Sequence, residues 1–154
     1  MTTDRRELCL ARLMTLLATI EGVPTVLRNE KDISGPRRPG IILMDADDDA
    51  DDVPAGRPAT TPEIMRMTPE IRILVGGTAA EVGPALNALR LKVIEVVKND
   101  SQWPTILTTN GSVRFLGSGT ELARGRNMSG EMVLSFLFTY PLRKDDWTTV
   151  TEEP

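Results

Sequence analysis

The chain of 154 residues contains no histidine and a single cysteine, Cys9. Without histidine there is no Ser-His-Asp or Cys-His relay and no His-ligated metal site. One thiol excludes a disulfide framework and any cysteine-cluster metal site, and a lone reduced cysteine fits synthesis in the cytoplasm. No stretch approaches the ~18 uninterrupted apolar residues of a membrane span. The segment from Met1 to Arg6 has none of the regions of a secretory signal. Positive charge is also in short supply: 18 Lys and Arg face 22 Asp and Glu. Six of those acids fall in one run, Asp45, Asp47, Asp48, Asp49, Asp51 and Asp52. Setting that run aside leaves 16 acids of the 22 against all 18 bases, a net charge of +2. The remainder carries no basic footprint for tight nucleic-acid binding. What is present, 40% apolar and 26% charged residues, suits one domain with its own core and excludes a disordered or low-complexity chain.

Periodicity supplies the elements. Asp4 and Glu7 have capping-box spacing, and a helix is expected from there to about Ile20, stopped by Gly22 and Pro24. Cys9, Leu10, Leu13, Leu16, Leu17 and Ile20 share one face; Arg5, Arg12, Thr15 and Thr19 lie opposite. Thr25 to Arg28 reads as a short strand, 29–40 as a loop, and Ile41 to Met44 as a buried strand. The acidic run and 53–62 read as irregular. Ile64 to Val75 reads as one longer strand in which Pro69 marks an edge or a bulge. A second helix is expected with Pro84 near its first position, running to about Lys98, with an apolar face of Leu86, Leu89, Val93, Ile94, Val96 and Val97. Trp103 opens a loop with a turn at Asn110-Gly111, Val113 to Leu116 is a strand, and 117–130 is a glycine-rich loop. Glu131 to Tyr140 is a strand with Met132, Leu134, Phe136, Phe138 and Tyr140 on one face. The expected fold is α+β: a largely antiparallel, mixed β-sheet with two helices packed on one face. The domain spans 1–141, and a polar tail, 142–154, follows.

Four features invite a chemical reading. Asp45, Asp47 and Asp49 match the first ligands of a calcium loop, but Ala50 stands where glycine is needed and Gly56 where a bidentate glutamate is needed. The plain alternative is a solvated acidic loop extended by self-repulsion. Gly76-Gly77-Thr78 leads from strand to helix as phosphate loops do, yet lacks the Lys-Ser/Thr pair and the G-x-G-x-x-G spacing. Arg90 falls inside the apolar stripe of the second helix, either snorkelling past the core or pairing with a carboxylate of a neighbouring subunit; Leu91 falls on the polar side. Trp103 and Trp147 either cap the core or anchor a partner surface. Arg90, Leu91, Trp103 and Trp147 are therefore the candidate interface residues. No set of residues calls for catalysis, a metal or a cofactor, and the long loops point to an assembly or binding protein.

The stretch Val113-Arg114-Phe115-Leu116-Gly117-Ser118-Gly119-Thr120-Glu121-Leu122, continuing through Gly130-Glu131-Met132 to Phe136-Leu137-Phe138-Thr139-Tyr140, resembles the tail terminator (tail completion) proteins of long-tailed bacteriophages. Val26-Leu27-Arg28-Asn29, Gly40-Ile41-Ile42-Leu43-Met44-Asp45-Ala46-Asp47 and Met67-Thr68-Pro69-Glu70-Ile71 agree with it, so that the resemblance spans about Arg5 to Tyr140. It implies a structural protein of the virion, assembled in the bacterial cytoplasm. Such proteins form a hexameric ring at the head-tail junction that caps the tail tube, stops its polymerisation and docks the head-completion (neck) proteins. Genomic DNA passes through the lumen unbound, and no membrane, catalysis or cofactor is implied. In such a ring the run Asp45, Asp47, Asp48, Asp49, Asp51 and Asp52 is expected to face the lumen and repel DNA. A head-tail stopper, a tube subunit or a calcium-binding module are the alternatives.

Overall fold

The computed structural model describes residues 4–51, 55–58, 63–108, 111–123 and 128–142. Three helices and seven strands follow in the order α1 (Arg5–Ala18), β1 (Thr25–Arg28), β2 (Gly40–Met44), β3 (Asp48–Ala50), β4 (Glu63–Met67), β5 (Glu70–Gly77), α2 (Ala79–Lys98), α3 (Trp103–Leu107), β6 (Ser112–Ala123) and β7 (Met128–Leu142). The fold is α+β, and among the described residues only the β1–β2 pair runs parallel.

The seven strands behave as five long ones. β4 and β5 pair with β7 in one unbroken register, Met67 opposite Phe138 and Glu70 opposite Ser135. They are one strand broken at Thr68-Pro69, where proline has no N–H to donate. The Pro69 carbonyl still accepts from Phe136 N–H at 3.4 Å, so the ladder is interrupted and not displaced. On the other flank β2 pairs with β5, and β3 continues alongside β4 after a one-residue shift, from Met44 opposite Glu70 to Asp48 opposite Met67. The sheet therefore runs β1, β2 with β3, β4 with β5, β7 and β6.

Helices cover one face. α1 starts at Asp4, whose carboxylate accepts from Arg6 N–H at 2.9 Å; Glu7 does not close a capping box but pairs with Arg28. Cys9, Leu10, Leu13, Leu16 and Leu17 of α1 and Val82, Leu86, Leu89, Val93 and Val97 of α2 are buried against Ile71, Ile73, Met132, Leu134, Phe136 and Phe138. The face read for α2 holds, with Ile94 and Val96 at its half-buried margin. A second, smaller cluster lies on the opposite face. The segment 29–39 lays Ile33 over Ile42 and Leu74, beside Leu27 and Met44.

Five sequence expectations change. The acidic run is not wholly irregular, because Asp48–Ala50 is β3, held by the β4 ladder. The described residues of 117–130 are strand and not loop: β6 continues to Ala123, and β7 begins at Met128. Its glycines misled because an edge strand exposed on both faces needs no apolar alternation; Gly117 sits at a register shift with φ +143°. α2 begins five residues before Pro84, at the Thr78 cap, where the Glu81 carboxylate accepts from Thr78 N–H at 3.3 Å. Arg5, assigned to the polar face of α1, is buried and donates to the Ile106 carbonyl at 2.9 Å. Trp103 lies in a short helix, α3, and not in a loop. The tail from 143 onward, with Trp147, lies outside the described residues.

Candidate interaction surfaces

At the corner where α1 meets the β2–β3 junction, Arg28, the last residue of β1, grips two carboxylates. Its guanidinium donates to Glu7 of α1, 2.8 Å to each oxygen, and to Asp45 at 2.8 and 2.9 Å. Asn29, at φ +56°, accepts from Asp45 N–H through its side-chain oxygen at 2.9 Å. The neighbouring guanidinium holds both Glu7 and Asp45 below the usual carboxylate range. The Arg28-Asn29 and Asp45 segments singled out from the sequence, 16 residues apart, are thus joined.

The remaining acids of the run are partly matched. Asp48 lies 3.8 Å from Arg6, and Asp51 lies 3.4 Å from Arg66. Strand alternation puts Asp48 on the helix-covered side with its partner Met67, and Asp49 on the opposite side with Arg66. Ion pairing and the β4 ladder, and not self-repulsion, shape this segment. Among the described residues no group of three acids or thiols sits close enough to hold a metal ion; Asp45 faces Arg28, Asp49 lies in β3 and Asp47 just before it. Asp52 lies outside the described residues.

β6 forms the other border of the sheet. Among the described residues it pairs only with β7. From Ser118 to Ala123 every residue is exposed, Leu122 at 53%, and Leu116 at the register shift is 52% exposed. Arg90 of α2 reaches this strand: its guanidinium lies 5.3 Å from the centre of the Phe115 ring and its Nε donates to Ser118 Oγ at 3.2 Å. Within the chain Arg90 is thus a bridge between α2 and β6. Leu91, one residue on, is 55% exposed. Lys98 donates to the Val113 carbonyl at 3.3 Å and shields the first part of the β6 edge.

The other candidates fall to the core or to the fold's own contacts. Trp103 is 5% exposed; its indole N–H donates to the Val97 carbonyl at 2.6 Å and its ring meets Phe138 edge-on at 4.9 Å. It caps the core and offers no side chain to a partner. Cys9 is fully buried, which pushes its thiol up and away from the reactive thiolate. Gly76-Gly77-Thr78 does join a strand to a helix, but Glu81 places the protein's own carboxylate at that helix start. The feature that sequence reading missed is the open β6 edge, whose signal was concealed by Gly117 and Gly119. No protein-family model matches this chain, and no curated protein matches it.

Proposed function

We propose that this chain is a tail terminator: a structural virion protein acting as one copy of a ring, hexameric in the resembling family, at the head-proximal end of a phage tail tube. The ring stops tube growth and presents a docking surface to the neck proteins, and DNA crosses its lumen without specific binding. The observation that carries the reading is the resemblance over Arg5 to Tyr140. The geometry supports it in two ways. Two of the segments that carry the resemblance are tied together by Arg28, Asn29 and Asp45, and the long stretch near the C-terminus is a single antiparallel β6–β7 pair with an exposed edge. No helix among the described residues is long and apolar enough to cross a membrane.

Deleting the gene in a producing phage is expected to give overlong tails without attached heads. Normal tail length in the deletion overturns the reading, and copies stacked along the tube in place of one terminal ring favour a tube subunit.

A further inference from the structure

The two borders of the sheet are unlike. At one, β3 shows its outer edge from Asp47 to Asp51; Thr68 N–H donates to the Asp47 carbonyl and Asp51 N–H to the Ile64 carbonyl, so among the described residues the strand is bonded on its inner side alone. Asp47, Asp48, Asp49 and Asp51 crowd there against two arginines, Arg6 and Arg66. At the other border β6 shows its outer edge from Gly117 to Ala123. This edge is flanked by Arg90 on the helix-covered side, by Arg114 exposed on the other, and by Lys98 at its start, against one acid, Glu121. One border is net acidic and the other net basic.

We propose that the β3 edge of one copy pairs with the β6 edge of the next, head to tail, through backbone hydrogen bonds and opposed charge. This rests on the ring reading above and names the surfaces that close the ring. A second copy is the occupant for three reasons. First, an exposed row of strand N–H and C=O groups is a template for another strand. The common devices that blunt an edge, a covering lysine and a bulge, occur in β6 only up to Gly117. Secondly, the two borders cannot satisfy each other within one chain, because β4 and β7 lie between them. Thirdly, charge selects the pairing. A symmetric β6–β6 contact sets Arg90 and Arg114 against their own copies, and a β3–β3 contact sets four aspartates against four. Only the unlike pairing is attractive, and a contact between two different surfaces of one chain repeats around a rotation axis and can close. Asp47 and Asp49 then lie in the joint between copies and not on the wall of the lumen.

The test uses the full chain, light scattering for mass, and circular dichroism to confirm folding. One variant reverses the basic edge (Arg90→Glu with Arg114→Glu) and another the acidic edge (Asp47→Lys with Asp49→Lys). The wild type is expected to assemble, less tightly as salt rises. Each variant alone is expected to weaken assembly on the order of 100-fold, since like charges then meet. An equimolar mixture of the two is expected to assemble again, because each reversed edge fits its counterpart. If either reversed variant assembles as the wild type does, or if the mixture of folded variants fails to recover, the edge pairing is wrong while the ring reading stands. A wild type that stays monomeric at every concentration and on tube ends overturns both. Should Arg90→Glu unfold the chain, Arg114→Glu alone serves, together with Asp49→Cys and Gly119→Cys in one chain. Oxidation of that chain is expected to give a ladder of linked multiples, and a ladder that stops at the dimer, or no linkage, overturns head-to-tail pairing.

Discussion

The two faces of the sheet are closed to very different degrees. One is sealed by α1, α2 and α3 over a continuous apolar core that includes the three buried aromatics of β7, Phe136, Phe138 and Tyr140. Among the described residues the other carries Ile33, Ile42 and Leu74 under the segment 29–39 with an Arg72–Glu131 pair beside them, and a separate Leu137, 7% exposed between the helix-facing Phe136 and Phe138. Beyond that, Glu70, Arg66 and Arg114 are exposed and Val133 half-exposed. Folding free energy comes mostly from the sealed face, since apolar area removed from water is the dominant favourable term. The open face adds the smaller apolar cluster and, beyond it, mostly exposed polar and charged side chains.

The largest expected effect compares the two clusters directly. Phe136 is fully buried, with its ring 5.3 Å from Phe115 and 6.4 Å from Phe138. Phe136→Ala is expected to cost about 3–5 kcal/mol by urea denaturation, transfer and cavity terms together. Leu74→Ala, in the small cluster under a loop able to settle into the space, is expected to cost about 2–3 kcal/mol, the low end for a buried leucine. Equal losses would break the distinction between the faces.

Two glycines refine it. A methyl group on Gly130 of β7 would lie 2.9 Å from Leu86 of α2 and closer still to Val82, whereas one on Gly119 of β6 meets nothing within 4 Å. Gly130→Ala is expected to lose about 1–3 kcal/mol by overpacking under the helix. Gly119→Ala is expected to change stability by no more than ~0.5–1 kcal/mol, in the stabilising direction, by restricting the unfolded chain. A tolerated Gly130→Ala would mean that α2 is seated more loosely than its buried stripe implies.

Acid separates the two sides by charge. Arg28 is the largest influence on both Glu7 and Asp45, holding each below its ordinary value, and Arg12 acts likewise on Asp100 through bonds of 2.7 and 2.8 Å. On the open side Asp32 is lowered chiefly by the Ile33 N–H and only secondarily by Arg38. Carboxylates whose folded pKa is depressed add stability above their unfolded pKa, and that stability is lost as pH falls through the folded value. The wild type is therefore expected to weaken as pH falls below the ordinary carboxylate range, about 4. Arg28→Gln is expected to flatten this decline more than Arg38→Gln, read from urea midpoints across pH 7 to 3. The opposite ranking would place the acid-sensitive contacts on the open side.

The same division explains what could be read in the sequence. The sealed face announces itself through period: the 3.6-residue stripe of α1, the alternation from Met132 to Tyr140, and the break at Pro69 all survive in the structure. β3 and the second half of β6 have no such signature, because a strand at a border, wet on both faces, is specified by its neighbour's ladder and not by its own side chains. Asp48, Asp49, Gly117 and Gly119 read as loop residues for that reason. Trp103 was ambiguous because a large amphipathic ring suits a core cap or an interface equally; the Val97 carbonyl, six residues earlier, decides it. The resemblance concerns a third matter, function, on which neither face speaks.

The smallest expected effect lies at the β6 register shift. Leu116 is 52% exposed, although it stands between Phe115, which packs on the core, and Gly117, where the register slips. An apolar side chain half in water gives up little on truncation, and serine at the same place gains hydration. Leu116→Ser is expected to leave the free chain's stability within about 0.5 kcal/mol of the wild type in urea. A loss well above 1 kcal/mol would show that the sealed region extends past the shift and that the border of the sheet is not open there.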